Sequence, residues 1–284
     1  MESTPTQTEV IQCFMCSNIM RDPAVFDTYG PTFSNVARDV AIWIAMQHQT
    51  EAVLPVRAFA KMFGYSDAFL FKRVTSEQLK ELKRSGFGPE IKDVIGYTLA
   101  KLTVQRLIFP QGYFAVGVEG QEEVKKYEGL TIINELSAHT SRKGTYYSFK
   151  ASRTFLANCH KRFQKFDLNT YTSLSSDRGN ALTAARKMYL HLVWKRKVWD
   201  AAKKSPGVKP SFSLFNELVR VAGFDRSETK KTSEKTAKAR AAHQLRELLA
   251  SLAELPGVNM SAVVEYQEHS EDYSVQFKRH LTAE

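Results

Sequence analysis

Cysteine is nearly absent from this chain of 284 residues: there are 3, Cys13, Cys16 and Cys159, too few for a disulfide framework. No charged-then-apolar leader opens the sequence, which together with the cysteine usage predicts a cytoplasmic protein. Long apolar runs are missing too. The most apolar helical stretch, residues 36–46, is interrupted by Arg38 and Asp39 and is far too short to cross a bilayer, which takes about 20 residues. Catalytic signatures are also lacking: there is no Gly-x-Ser-x-Gly, no Gly-x-x-x-x-Gly-Lys, no His-Glu-x-x-His and no pair of His flanking one hydrophobic residue. His48, His139, His160, His191, His243, His269 and His280 are scattered. The expectation is a protein with no enzymatic activity, no cofactor and no membrane partner.

Two chemical readings are weighed against that expectation. Cys13-x-x-Cys16 is half of a zinc site, and Cys159-His160 could supply two further ligands. Adjacent Cys and His side chains diverge, however, so the cysteines read better as small apolar residues than as metal ligands. A tyrosine that nicks DNA has candidates in Tyr146, Tyr147 and Tyr171, which lie near basic residues. The metal-binding His pair expected beside such a nucleophile is missing.

What the sequence does hold is one phrase twice. Phe59-Ala-Lys-Met-Phe-Gly64-Tyr65 and Leu218-Val-Arg-Val-Ala-Gly223-Phe224 share the order apolar-apolar-basic-apolar-apolar-Gly-aromatic, which ends a helix because glycine accepts the left-handed C-terminal position. Each copy follows a long amphipathic helix (33–49 and 177–194). Each precedes another helix (90–109 and 234–255), then strand-like runs. With 43% hydrophobic and 25% charged residues, the chain is globular and long enough for two domains, each with a core of its own. The predicted fold is α+β and mostly helical: two tandem winged-helix domains, each of three helices plus a β-hairpin wing. Residues 1–30 form an irregular lead-in, 31–155 the first unit and 156–284 the second.

In finer detail, Ser34 is expected to cap the first helix, whose Trp43 face enters the core. Residues 66–88 are an insertion in the first unit with a basic helix at 76–84, and Pro89 opens the next helix at its first turn. That helix shows Asp93, Tyr97, Ala100, Lys101 and Val104 outward, a face better suited to protein contact than to reading bases. Strand signals follow at 113–118, 130–136 and 145–149, then a connecting helix at 152–166. In the second unit, residues 183–197 place Met188, Leu192 and Val193 inward with Arg186, Lys187, Lys195 and Arg196 largely elsewhere. The last hairpin is expected at 262–266 and 273–277.

Charge is distributed unevenly. The net of +10 arises from +1 in residues 1–150 and +9 in 151–284, so the second half carries the field that would attract a polyanion. In its last helix Ala241, Leu245, Leu248, Leu252 and Leu255 recur at core spacing. The opposite face presents Thr236, Ala239, Arg240 and His243, flanked by Lys235, Lys238 and Arg246. Such a face suits the DNA major groove: Arg can donate two bonds to guanine, Thr and Ala can touch the thymine methyl, and Lys can hold phosphate. Arg142 and Lys143 in the first wing, Lys278 and Arg279 in the second, and Lys80, Lys83 and Arg84 are further candidates for phosphate contact.

Laid out in this order, the chain resembles the plasmid replication initiators (Rep proteins) of the TrfA type. The likeness runs from about residue 30 to 281 and rests on Ala41-Ile-Trp43-Ile-Ala-Met-Gln-His48 before Phe63-Gly64, a wing, and Ala184-Ala-Arg186-Lys187-Met188-Tyr189-Leu190 opening the second unit. The two-cysteine lead-in and the 66–88 insertion have no match. The resemblance implies that the second winged helix reads repeated origin sequences (iterons) in duplex DNA through Lys235, Thr236, Lys238, Ala239, Arg240, His243 and Arg246. It implies that the first adds phosphate contacts and dimerisation. It further implies origin opening and recruitment of a host initiator and replicative helicase by monomers, with dimers in equilibrium that repress or pair origins. A winged-helix transcriptional repressor without origin melting is the alternative. A structural or partitioning protein is another, one with little sequence preference.

Overall fold

The computed structural model describes residues 12–47, 49–110, 112–116, 123–126, 128–141, 144–174, 180–202, 212–224 and 233–280. The fold is α+β. It begins with β1 (Gln12–Cys16), α1 (Ser17–Arg21) and a 3-10 segment, Pro23–Tyr29. The first half continues with α2 (Ser34–Gln47), β2 (Glu51–Leu54), α3 (Val56–Phe63), α4 (Asp67–Leu70), α5 (Ser76–Arg84) and α6 (Val94–Val104), then β3 (Tyr113–Val116), β4 (Glu123–Lys126), β5 (Ile133–Ser141) and β6 (Gly144–Ala151). Next come α7 (Arg153–Lys161), β7 (Phe163–Asp167) and α8 (Leu168–Ser173). The chain closes with α9 (Asn180–Ala202), β8 (Phe212–Leu214), α10 (Phe215–Ala222), α11 (Glu234–Leu252), β9 (Met260–Gln267) and β10 (Asp272–Arg279). Among the described residues no helix is long and apolar enough to cross a membrane.

One order of elements occurs twice. Helix, short strand, helix, helix and hairpin are α2, β2, α3, α6 and β5–β6 in the first half, and α9, β8, α10, α11 and β9–β10 in the second. Both sheets are antiparallel, and in both the short strand lies beside the last strand: β2-β6-β5 and β8-β10-β9. The repeated phrase stops α3 and α10 alike. Gly64 has φ 76° and Gly223 φ 80°, and the next amide in each case donates to the carbonyl five residues back, Tyr65 to Ala60 at 2.9 Å and Phe224 to Val219 at 3.0 Å. A side chain is strained at such a φ. At Gly223 a Cβ would also come within 2.9 Å of Lys187 Nζ.

Several expectations need correction. Residues 12–29 are not irregular: β1 pairs antiparallel with β7, and Cys13, Met15, Cys16, Ile19 and Met20 are fully buried. Ser34 is the first residue of α2 and itself buried. Pro89 precedes rather than opens the next helix, because Asp93 caps α6, its Oδ1 accepting the Gly96 amide at 2.8 Å. Beyond α6, Leu107 and Leu130 exchange backbone hydrogen bonds in an isolated bridge. The stretch 152–166 divides into α7 and β7. The face of α6 drawn outward is largely inward: Asp93, Tyr97 and Ala100 are buried, and Val104 is exposed. Asp93 takes a hydrogen bond from Tyr147 Oη at 3.0 Å, and Tyr97 donates to Glu81 on α5 at 2.6 Å.

The two halves do not have separate cores. Buried apolar side chains form one continuous cluster through both, because the segment 12–29 fills the space beside α9 and α10. Of the charged residues of α9 placed away from the core on sequence grounds, Arg186 and Lys187 sit at that junction. Arg186, Lys187 and Lys195 are buried. Arg186 Nη1 reaches Asp39 Oδ2 of α2 at 2.9 Å, and its Nη2 donates to the Phe63 carbonyl at 3.0 Å. Tyr65 Oη donates to the same carboxylate oxygen at 2.7 Å, Tyr171 Oη donates to Asp39 Oδ1, and Arg38 Nε donates to Tyr171 Oη at 3.0 Å. Burial, with Asp39 close by, raises the pKa values of both tyrosines and keeps their protons on the donor side. Lys187 Nζ pairs with Asp27 Oδ2 at 2.6 Å, and Arg220 Nη1 with Asp22 Oδ1 at 2.8 Å.

Two outcomes are expected. Asp39→Ala leaves Arg186 buried without its carboxylate and costs about 3–5 kcal/mol in urea unfolding, against about 1 kcal/mol for Tyr65→Phe. His191 responds to pH: its Nδ1–H donates to the Arg21 carbonyl at 2.6 Å, and its Nε2 is buried without a hydrogen-bond partner among the described residues. Burial, aided by Lys195, lowers its pKa from the ordinary 6.5. The unfolded chain then binds the proton more readily, so stability is intact above pH about 6.5 and falls as the pH drops below it. His191→Gln flattens that acid limb in denaturation curves recorded between pH 7.5 and 4.5.

Candidate nucleic-acid interface

Ser233 starts α11 by accepting the Thr236 amide on its Oγ at 3.3 Å, and Glu234 in the first turn suits the positive end of the helix. Ala241, Ala242, Leu245, Leu249 and Leu252 are buried, so one stripe is fixed against the core. Leu248 is only partly buried, and Leu249 faces the core in its place. The opposite face carries Lys235, Thr236, Ala239, Arg240 and His243, all exposed.

The predicted cations divide into free and committed groups. Lys235 and Arg240 have no hydrogen-bond or ion-pair partner among the described residues. Lys238 pairs with Glu234 at 3.3 Å and Asp272 at 4.0 Å, and its pKa is raised by the bond to Glu234. His243 Nε2 is 3.4 Å from Glu247 Oε1. Arg246 braces the helix on the last hairpin: its Nε donates to the Val264 carbonyl at 2.9 Å, and its guanidinium lies 5.7 Å from the Tyr273 ring centre. On β10, Lys278 is exposed, whereas Arg279 Nη2 holds Asp200 of α9 at 3.1 Å. A cleft of about 500 Å³ separates the start of α11 from the hairpin, and Glu234 and Glu271 line it with Lys235 and Lys238. Those carboxylates would repel phosphate from its floor, so any phosphate contact belongs to the outer side.

In the first half, Lys80, Lys83 and Arg84 are exposed on α5. A capping box between Thr75 and Gln78 starts that helix, and buried Leu82 anchors it. Arg142 and Lys143 lie outside the described residues. A basic set absent from the expectations surrounds a larger groove of about 980 Å³, where Arg57, Arg73 and Lys92 stand with Phe71 and Tyr146. Sequence spacing hides it because its members come from separate elements.

The chemical alternatives are also placed. Tyr147 and Tyr171 are fully buried, with phenol pKa values raised by burial, and neither can meet a phosphodiester; Tyr146 is exposed. Cys13, Cys16 and Cys159 are buried thiols, and burial pushes that of Cys13 up to about 12. Among the described residues no group of three or more His, Cys, Asp or Glu side chains is placed to hold a metal ion. No protein-family model matches the chain, and no curated protein matches it either.

The free and committed cations should separate in stability measurements. Arg246→Ala is expected to lower unfolding free energy by roughly 1–2 kcal/mol, since it removes a charged donor from a hairpin carbonyl. Arg240→Ala changes it by less than about 0.5 kcal/mol. Paired urea titrations compare the two directly.

Proposed function

We propose that the chain is a tandem winged-helix protein that binds duplex DNA sequence-specifically and starts replication at repeated origin sequences of a plasmid or phage. A winged helix is a helix, short strand, two helices and a hairpin, with the short strand beside the last one. The twice-repeated order of elements and the two sheets strung β2-β6-β5 and β8-β10-β9 support that reading. Here the two units share a core, to which residues 13–29 contribute.

The observation that carries the DNA reading is the outer face of α11, where Lys235 and Arg240 stand exposed between small or polar neighbours on a helix fixed by its buried leucines. A helix so presented fits the major groove, about 12 Å wide. Arg240 would read a guanine edge, Thr236 and Ala239 the thymine methyl, and Lys235 and Lys278 would hold phosphate. The origin-specific part rests on the resemblance to Rep initiators, as do dimerisation through the first unit and recruitment of a host initiator and helicase. A cytoplasmic location and action without cofactor belong to the same reading. A repressor of the same architecture would bind as well but leave the duplex closed.

The test is site-specific binding followed by strand opening. Arg240→Ala loses roughly 1–3 kcal/mol of specific affinity and relaxes one base position, as read in a mobility shift over single-base variants of the site. Lys235→Ala weakens all sequences alike and reduces the salt slope by about 0.9. Unchanged specificity in Arg240→Ala would remove α11 from base reading. On supercoiled DNA with direct repeats beside an A+T-rich tract, permanganate reactivity in that tract supports an initiator; binding without it favours the repressor.

A further inference from the structure

The groove in the first half differs from α11 in its chemistry. Val53 on β2, Phe71 in the loop after α4, and Tyr146 on β6 are large apolar side chains left 54%, 41% and 44% exposed around it. Apolar side chains grouped on an exposed surface mark a contact site, and aromatic faces among them favour flat partners. Arg57, Arg73 and Lys92 are exposed along its walls, and among the described lining residues the one acid is Asp93. Asp93 is itself buried and already accepts from Gly96 and Tyr147 on Oδ1. Arg57 lies 3.8 Å from Asp67, both side chains largely exposed, so that pair is weak.

The walls are also rigid. Tyr146 is held flat by His139, the rings 4.7 Å apart and 11° from parallel, and His139 Nε2 is 2.7 Å from Ser148 Oγ. The loop bearing Phe71 and Arg73 is fastened to the segment before α6, because the Val74 amide donates to the Lys92 carbonyl and the Val94 amide to the Lys72 carbonyl, each at 3.0 Å. The Tyr146 ring and the backbone that carries Phe71, Arg73 and Lys92 are therefore braced before any ligand arrives.

We infer that this groove binds single-stranded DNA, with bases stacked on Tyr146 and Phe71 and the backbone held by Arg57, Arg73 and Lys92. Aromatic rings and cations lining one groove match a strand whose bases are unpaired. A duplex does not fit, since its bases are stacked on one another and offer the rings nothing. An acidic peptide would satisfy the cations but leave the rings without flat partners. The inference stands apart from the duplex reading, because none of its residues lies on α11.

Fluorescence anisotropy with labelled oligo(dT) and with a duplex of the same length tests it on the full chain. The wild-type chain is expected to bind oligo(dT), and Tyr146→Ala to weaken that binding about tenfold or more, with Tyr146→Phe retaining it. Arg57→Gln with Arg73→Gln reduces the salt slope by about 0.7 for each charge removed. All of these exposed-site variants keep duplex affinity, while Arg240→Ala keeps oligo(dT) affinity. The inference fails if oligo(dT) does not bind, if Tyr146→Ala binds it as wild type does, or if the same variants lose duplex and single strand equally. It fails too if Tyr146→Ala alters only the sedimenting mass, which would make the groove a contact between copies of the chain. Loss of duplex binding alone in Arg240→Ala bears on α11 and leaves the groove reading untouched.

Discussion

One buried carboxylate organises this molecule. Asp39, fully buried on α2, gathers Tyr65 from the end of the first repeated phrase, Tyr171 from α8 and Arg186 from α9. A charge in that position is tolerable only while every lone pair has a donor. The requirement fixes the mutual placement of four elements at once. Arg186 extends the constraint by donating to the Phe63 carbonyl, one residue before the left-handed Gly64 that ends α3. The cap of a helix in one half is thus satisfied by a guanidinium from the other.

The same arrangement explains why residues 12–29 pack as they do. Asp22 and Asp27 stand in the 12–29 segment as partners for Arg220 and Lys187, and β1 is held by β7. Charged contacts between packed helices fix one relative orientation, where apolar surface alone would tolerate sliding. Such an orientation matters to any function that uses both halves on one extended ligand.

What could be read in the sequence was local. Gly64 and Gly223, the α5 helix at 76–84, the buried stripe of α11 and the hairpin that follows it depend on residues a few positions apart, so spacing and turn chemistry are enough. The exposed positions Lys235, Thr236, Ala239, Arg240 and His243 follow from the same periodicity. Arg186 and Lys187 defeat it because their partners stand 147 and 160 residues away; hydropathy assigns such side chains to solvent. Asp93 misleads for a different reason. A helical wheel treats it as part of the helix, yet it is the cap, and a capping side chain turns back towards the first turn. The groove around Tyr146 is invisible for want of any periodic signal linking β2, the 71–73 loop and β6.

The +9 counted in the second half therefore overstates the field that half presents, because carboxylates of the first half neutralise part of it. Much of the basic content of α9 is spent inside: Arg186 and Lys187 on carboxylates of the first half, Lys195 on Ser213. Around α11 and its hairpin, Lys235, Arg240 and Lys278 are the cations without a partner among the described residues, and Glu234 and Glu271 line the same cleft as Lys235. On the proposed reading, so small a set among the described residues would give weak indiscriminate attraction to DNA, because each phosphate neutralised contributes only a fixed share of salt-dependent affinity. Discrimination then falls to the side chains that touch bases, and overall affinity to how many copies engage one molecule. Repeated sites supply the second term, because each bound copy raises the effective concentration of DNA for the next wherever neighbours touch. A reader with few free cations is suited to DNA that presents its sequence several times over, and poorly suited to a lone site in a large excess of other sequence.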